Sequence, residues 1–85
     1  MNKEKMFIAQ DENNREVAYE MLMTKNVDNT PVIWYTDGAI DEEGSKQVYV
    51  STYERANNTF VLNKIEDENF LNKCIEIFLN EQNSN

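Results

Sequence analysis

The sequence contains no histidine, one cysteine, one proline and two glycines among its 85 residues. Without histidine, the chain lacks the side chain that most often acts as a general base or metal ligand near neutral pH. The single cysteine, Cys74, cannot form an internal disulfide, and it cannot build the Cys/His cluster of a zinc site by itself. We therefore expect no bound metal, no zinc-dependent chemistry and no need for an oxidising compartment.

Basic residues are also scarce, because 8 lysines and arginines face 16 aspartates and glutamates. The formal net charge is −8 at pH 7. A chain this acidic repels nucleic-acid phosphates and anionic lipid surfaces. We therefore expect neither direct nucleic-acid binding nor membrane association.

Long apolar runs are missing as well. In the first fourteen residues the only apolar run is Met6–Ala9, so we expect neither a signal peptide nor a membrane helix, and we expect a cytoplasmic protein. The apolar fraction of 40% is nevertheless too high for a disordered chain. Eighty-five residues predict one domain, residues 1–80, followed by a frayed tail, 81–85, that has no apolar anchor.

The remaining pattern centres on Pro31–Glu54. Two β-branched and aromatic runs, Val32–Thr36 and Gln47–Tyr53, flank an acidic loop that contains Gly38 and Gly44. Runs of this composition favour strands, and glycine enters turn conformations with positive φ without steric cost. The stretch therefore predicts a β-hairpin with a long loop.

Three further segments, Lys5–Gln10, Glu16–Lys25 and Thr59–Ile65, have the composition and alternation of strands. In the second segment the residues on one side are Val17, Tyr19, Met21 and Met23. A helix is the rival interpretation of that segment, because Met, Leu, Glu and Ala are good helix formers. The turn residues at 11–14, 26–31 and 56–58 favour consecutive strands joined as an antiparallel meander.

The pattern changes to a helical period near the C-terminus. The apolar residues that share one helical stripe are Phe70, Leu71, Cys74, Ile75, Phe78 and Leu79. Asp67 is the predicted N-cap. We therefore predict an α+β fold in which an antiparallel meander sheet of four to five strands carries one C-terminal helix on one face.

The central hairpin also carries a family resemblance. The segments concerned are Trp34–Asp37, Asp41–Gly44, Val48–Ser51 with Tyr53, the acidic turn Asp11–Glu16 and the acidic helix start Glu66–Asn69. Together they resemble the YrzB-like family of small acidic bacterial proteins of unknown function. The resemblance extends from Phe7 to Leu79. It implies a cytoplasmic bacterial β-rich domain without cofactors and without catalytic residues to carry over.

The remaining signals for chemistry are weak. Cys74 lies on the apolar helical stripe, which favours a buried structural thiol over a nucleophile. The acidic segment Asp37–Gly44 shares only its acidity with a calcium loop, because the order of ligands around a central glycine is absent. No two of the sixteen acids stand out as a glycosidase-type pair. We therefore expect no enzyme and no cofactor.

A single helix covers a strip roughly 10 Å wide, whereas four or five strands spaced about 4.8 Å apart span about twice that width. One face of the hairpin should therefore be covered by loops, a second subunit or a partner. The candidate contact residues are Trp34, Tyr35, Tyr49 and Tyr53 together with the loop acids Asp41, Glu42 and Glu43. The alternative is that the aromatics form core and cross-strand pairs and that the loop is merely solvated.

Two functions are compatible with these features. The first is a non-catalytic protein-binding or regulatory module that uses the uncovered face for self-association or a protein partner, or the acidic loop for a basic partner. The second is an acidic mimic of nucleic acid that occupies a DNA- or RNA-binding protein. A mimic needs carboxylates along a ribbon, whereas the acids here gather in turns and helix ends, so the binding module is favoured.

Overall fold

The computed structural model describes residues 6–10, 13, 15–38, 40–56 and 59–83. Residue 83 is described by its backbone only. The elements are β1 (Met6–Gln10), β2 (Glu16–Val27), β3 (Thr30–Thr36), β4 (Tyr49–Ala56), β5 (Thr59–Asn63) and α1 (Glu68–Asn83). The predicted α+β fold, a five-stranded antiparallel meander followed by one C-terminal helix, is confirmed. Lys5 and most of the predicted turns at 11–14 and 56–58 lie outside the described residues.

The ends of several elements differ from the prediction. β2 continues past Lys25 to Val27, because Asp28 and Asn29 form a tight turn with φ of 54° and 67°. Aspartate and asparagine tolerate this left-handed conformation better than most residues do. α1 continues through Asn83, so residues 81–83 of the predicted tail are helical.

The sheet closes into a barrel. Consecutive strands pair antiparallel, and β1 also pairs with β5 in parallel, with Ala9 opposite Phe60 and Gln10 opposite Val61. The closing pair is parallel because, in an odd number of alternating strands, the first and last run in the same direction. Closure gives the sheet an inside, which an open meander lacks.

Two cores lie on opposite sides of β3. The barrel core, inside the sheet, contains the buried residues Phe7, Ala9, Ile33 and Tyr35, and Tyr19, Met21, Tyr53, Phe60 and Leu62 pack against it. The helix core, between the sheet and α1, contains Val27, Val32, Trp34 and Cys74. Successive residues of a strand point to opposite faces, so β3 supplies Ile33 and Tyr35 to one core and Val32 and Trp34 to the other.

A β-bulge at Leu22 moves β2 from one core to the other. Met21 pairs with Tyr35, whereas Met23 pairs with Trp34, so Leu22 is the extra residue between the two pairs. Met21 consequently packs against the barrel core and Met23 against the helix core. The prediction that these two methionines share a side is wrong, because an inserted residue reverses the alternation.

Asp67 caps the start of α1, as predicted. Its Oδ1 accepts hydrogen bonds from the backbone N–H of Asn69 at 2.9 Å and of Phe70 at 3.4 Å. Its carbonyl accepts the first helical bond, from Leu71 N–H at 2.9 Å. These contacts satisfy N–H groups that a helix start leaves without intrahelical partners.

α1 is joined to the sheet by polar as well as apolar contacts. Trp34 Nε1 donates to the carbonyl oxygen of Cys74 at 3.2 Å, and the Trp34 ring stacks on Phe78 with centroids 6.5 Å apart. Two ion pairs also join α1 to β2 and to the turn that follows β2: Glu81 with Lys25 at 2.9 Å, and Lys73 with Asp28 at 3.0 Å. No helix in the described part of the chain is long and apolar enough to cross a membrane.

The sequence predicted that the helix would leave one face of the central hairpin open, to be covered by loops, a second subunit or a partner. In the structure, α1 covers the face of Val32 and Trp34, and the closed barrel encloses the face of Ile33 and Tyr35. The expectation of an uncovered hairpin face is therefore wrong, because it assumed a flat open sheet.

Candidate binding site at the barrel mouth

The alternation of strand direction determines which loops share an end of the barrel. The described residues of three connections lie at one end, which we call the barrel mouth: 13 and 15, 37–38 and 40–48, and 64–67. The turn at Asp28 and Asn29, the end of β4 and the start of β5 lie at the other end. The acidic loop between β3 and β4 therefore belongs to the mouth.

A pocket of about 550 Å³ opens at the barrel mouth. Its lining residues are Asn13, Tyr19, Tyr35, Tyr49, Val50, Ser51, Leu62, Lys64, Ile65 and Leu71. They come from four strands, two connections and the first turns of α1. The volume lies within the range of roughly 300–1,000 Å³ that small-molecule sites occupy.

Three tyrosines form a row along this pocket. The ring centroids of Tyr19 and Tyr35 are 4.8 Å apart, and those of Tyr35 and Tyr49 are 5.6 Å apart. Tyr35 is buried, and its hydroxyl forms a 3.0 Å hydrogen bond with Ser51 Oγ. Tyr49, which pairs with Tyr35 across the strands, is 39% exposed. The row thus leads from the barrel core out to solvent.

Two of these phenols are held in the neutral form. Burial raises the pKa of Tyr35, although the hydrogen bond to Ser51 opposes that shift. The carboxylate of Asp37 raises the pKa of Tyr49, whose hydroxyl donates to Asp37 Oδ2 at 3.4 Å. Both groups are therefore hydrogen-bonding hydroxyls near neutral pH, and neither is poised to take up a proton.

The acidic loop has a defined conformation. Asp41 Oδ1 accepts hydrogen bonds from the backbone N–H of Glu43 and of Ser45, both at 2.9 Å. The Asp41 carbonyl accepts from Gly44 N–H at 3.0 Å, and Gly44 adopts φ of 85°, which a side chain would oppose. The Asp41 carboxylate therefore holds the loop together, whereas Glu42 is left exposed at its tip.

Exposed carboxylates surround the mouth. Those in its described connections are Asp37, Asp41, Glu42, Glu43, Glu66 and Asp67, and Glu68 follows in the first turn of α1. The cations in the same connections are Arg15, Lys46 and Lys64. Lys46 lies 3.7 Å from Glu20, and Lys64 lines the pocket. The barrel mouth is therefore a negatively charged rim around a largely apolar pocket.

The structure separates the predicted contact residues. Trp34 is only 1% exposed and belongs to the helix core, so it offers no surface to a partner. Tyr35 is 8% exposed at the pocket, and Tyr53 is partly buried against the barrel core. Tyr49 and the acids Asp41, Glu42 and Glu43 are exposed, and all four lie at the mouth.

Other pocket residues were not identified from the sequence. The alternation of β2 puts Tyr19 on the same side of its strand as Val17, but it does not predict that Tyr19 lies beside the later hairpin. Lys64 and Leu71 come together with Tyr19 because the barrel closes and α1 folds back over it. Alternation indicates the face on which a residue lies, whereas shared membership of a pocket depends on strand order.

The described lining of the pocket offers hydrogen-bonding groups and apolar surface. The described pocket lining has hydroxyls, one amide and one ammonium group, and it contains no carboxylate or thiol. Cys74 is fully buried in the helix core, where burial raises the pKa of its thiol. Across the described ranges, no three acidic or cysteine side chains are grouped so as to hold a metal ion.

Comparison with known proteins gives no further assignment. The chain matches no family model, no curated protein and no solved structure.

Proposed function

We propose that this protein is a non-catalytic protein-binding module and that its contact surface is the barrel mouth. The observation that carries the proposal is the pocket of about 550 Å³ that opens within a rim of exposed carboxylates. A concave, mostly apolar site with a few polar groups is the usual form of a ligand-binding site. The mouth combines such a site with a charged rim, which can guide a protein partner.

The tyrosine row supports binding because it is already ordered. Tyr49 packs beside Tyr35, whose ring is part of the barrel core and whose hydroxyl is bonded to Ser51. A partner would therefore lose little side-chain entropy on contact. Tyrosine is also among the residues most enriched in the energetically important centres of protein interfaces.

The distribution of acids supports this function over a nucleic-acid mimic. Among the described acids, Asp37, Asp41–Glu43 and Glu66–Glu68 lie at or next to one end of the barrel. A mimic would need carboxylates along an extended ribbon with the spacing of phosphates. We infer a bacterial origin and a cytoplasmic location from the resemblance to the YrzB-like family.

Affinity capture with matched baits tests the proposal. The wild-type protein, Tyr49→Ser and Ile75→Ser would be immobilised at equal density and exposed to the cytoplasmic fraction of the native cell. Tyr49 lines the pocket and is 39% exposed. Ile75 belongs to the predicted apolar stripe, but the structure leaves it 42% exposed and outside the helix core. Circular dichroism would first establish that the three baits are folded.

We expect one or more proteins to bind the wild type and Ile75→Ser and to be lost from Tyr49→Ser. Direct titration of each purified candidate against the three baits would then separate a real partner from a contaminant. Equal capture by all three baits would refute the mouth as the contact surface. Failure of the wild type to retain any protein would contradict the binding function itself.

A further inference from the structure

We propose that the partner presents a cationic segment whose single large apolar or aromatic side chain enters the pocket at the barrel mouth. This inference rests on the proposed function and specifies the partner's chemistry. It follows from the difference between the inside of the pocket and its rim. Each part of the mouth selects a different part of the bound segment.

The inside of the pocket suits an apolar anchor. Leu62, Ile65 and Leu71 line it together with the faces of the tyrosine rings. Aromatic rings bury much surface and gain further from edge-to-face and offset contacts with other rings. Lys64 is the cation among the described lining residues, and it disfavours entry of a second cation.

The rim suits lysine or arginine. In the described structure the side chains of Glu42 and Glu43 are exposed and make no hydrogen bond or ion pair, whereas Asp41 is engaged by two backbone N–H groups. Glu42 and Glu43 therefore remain available to a partner's cations. The net charge of −8 adds a long-range attraction for a basic segment.

The shape of the acidic loop strengthens this assignment. The bridge between Ile40 and Lys46 and the bonds to Asp41 fix the loop, so the two glutamates are presented from a rigid turn. Charged groups on a fixed scaffold lose less entropy on binding than groups on a mobile one. The anchor and the cations can then be recognised together.

Three short synthetic peptides test the inference against the full-length protein by two-dimensional NMR. The first has a central tryptophan flanked by lysines, the second replaces tryptophan with alanine, and the third replaces the lysines with glutamates. We expect the first peptide to shift the amide signals of Tyr19, Tyr49, Ser51 and Leu71 and to bind more weakly as salt increases. Each of the other two should bind more weakly by roughly tenfold or more, the change that corresponds to about 1.4 kcal/mol.

A pair of charge-matched variants separates local recognition from net charge. E42K/E43K reverses the two loop acids, and E54K/E76K makes the same charge change on exposed residues of β4 and α1. Within the described residues none of these four side chains forms a hydrogen bond or ion pair, so both variants should fold as the wild type does. We expect E42K/E43K to weaken the first peptide several-fold more than E54K/E76K does.

The inference would be overturned by no binding of the first peptide, by equal binding of all three peptides, or by equal weakening by the two variants. Amide shifts confined to surfaces away from the mouth would overturn it too. If the peptides fail while capture in the native fraction still depends on Tyr49, the proposed function stands and only the partner's chemistry is wrong. If capture fails as well, both proposals fail.

Discussion

The barrel core and the helix core are built on the same strand but are closed in different ways. The barrel core is rich in aromatic rings and is enclosed by the strands themselves; the rings are those of Phe7, Tyr19, Tyr35, Tyr53 and Phe60. The helix core has Trp34 at its centre and is closed by α1, a separate element. The pocket at the mouth is lined by Tyr19, Tyr35 and Leu62 of the first core and by Val50 and Ile65, which pack against the second. The centre of the second core is nevertheless buried, because Trp34 is only 1% exposed and donates a hydrogen bond to α1.

This difference means that separate elements cover the two cores. Because α1 covers the outside of the barrel, the aromatic interior can open at one end without exposing Trp34 to solvent. Since β3 lines both cores, loss of either one should disturb the other. We therefore expect the two cores to unfold as one cooperative unit, as small single domains usually do.

The largest loss of stability is expected from truncating the central side chain of the helix core. Trp34→Ala removes a fully buried indole, and we expect the free energy of unfolding to fall by about 3–5 kcal/mol, as for other large-to-alanine core substitutions. Phe7→Ala makes the corresponding change in the barrel core. Urea unfolding followed by far-ultraviolet circular dichroism for α1 and near-ultraviolet signals for the tyrosines would measure both.

Coincident transitions at the two wavelengths are expected for wild type and for both variants. If Trp34→Ala melts α1 while the tyrosine signals keep their native transition, the two cores are independent and the comparison above is wrong.

A second prediction concerns the bulge that links the cores. Deletion of Leu22 leaves the pairs Met21 with Tyr35 and Met23 with Trp34 in place, so the fold should survive at a cost of about 1–3 kcal/mol from lost side-chain burial. Deletion of Thr52 from β4, which has no bulge, would instead move Tyr53 to the wrong face. Expression and urea unfolding of the two deletions would compare them, and equal tolerance would argue against a special role for Leu22.

The third prediction concerns the N-cap of α1, the helix that covers the helix core. Asp67→Ala removes the oxygen that accepts two N–H groups at the start of α1, and we expect a loss of about 1 kcal/mol. Asp67→Asn keeps an acceptor oxygen and should lose less. Thermal denaturation of the two variants gives the answer, and an equal loss would mean that charge rather than capping stabilises the helix start.

The smallest change in stability is expected at high pH, where Tyr35 of the barrel core ionises. Burial raises the pKa of Tyr35 in the folded state above the ordinary value of 10.0. Above about pH 10 the unfolded chain ionises first, so the free energy of unfolding falls as pH rises toward the folded pKa. Tyr35→Phe should decline less steeply over that range. Urea midpoints from neutral to alkaline pH would show it, and parallel curves would contradict the assignment.

The rate at which the Cys74 thiol reacts reports how tightly α1 covers the helix core. Because its thiol is fully buried and burial raises its pKa, we expect slow reaction with a thiol reagent in the native protein. The unfolded protein in urea is the control. Labelling of the native protein at the unfolded rate would show that α1 opens readily.

Local sequence features determined the elements of this protein. Runs such as Val32–Thr36 predicted strands because β-branched and aromatic side chains suit a pleated surface, and the stripe through Phe70 and Cys74 predicted the helix. Asp67 as N-cap and the burial of Cys74 also followed from local pattern. Each of these features depends on residues close together in the chain.

The tertiary structure alone decided which surfaces remained available. Closure of β1 onto β5 enclosed Tyr35 and the bulge at Leu22 sent Met23 to the helix core. The pocket unites Tyr19, Tyr49, Lys64 and Leu71, which are far apart in sequence. Alternation determines the face of a strand but contains no information on whether a sheet closes, because closure depends on pairing between the first and last strands.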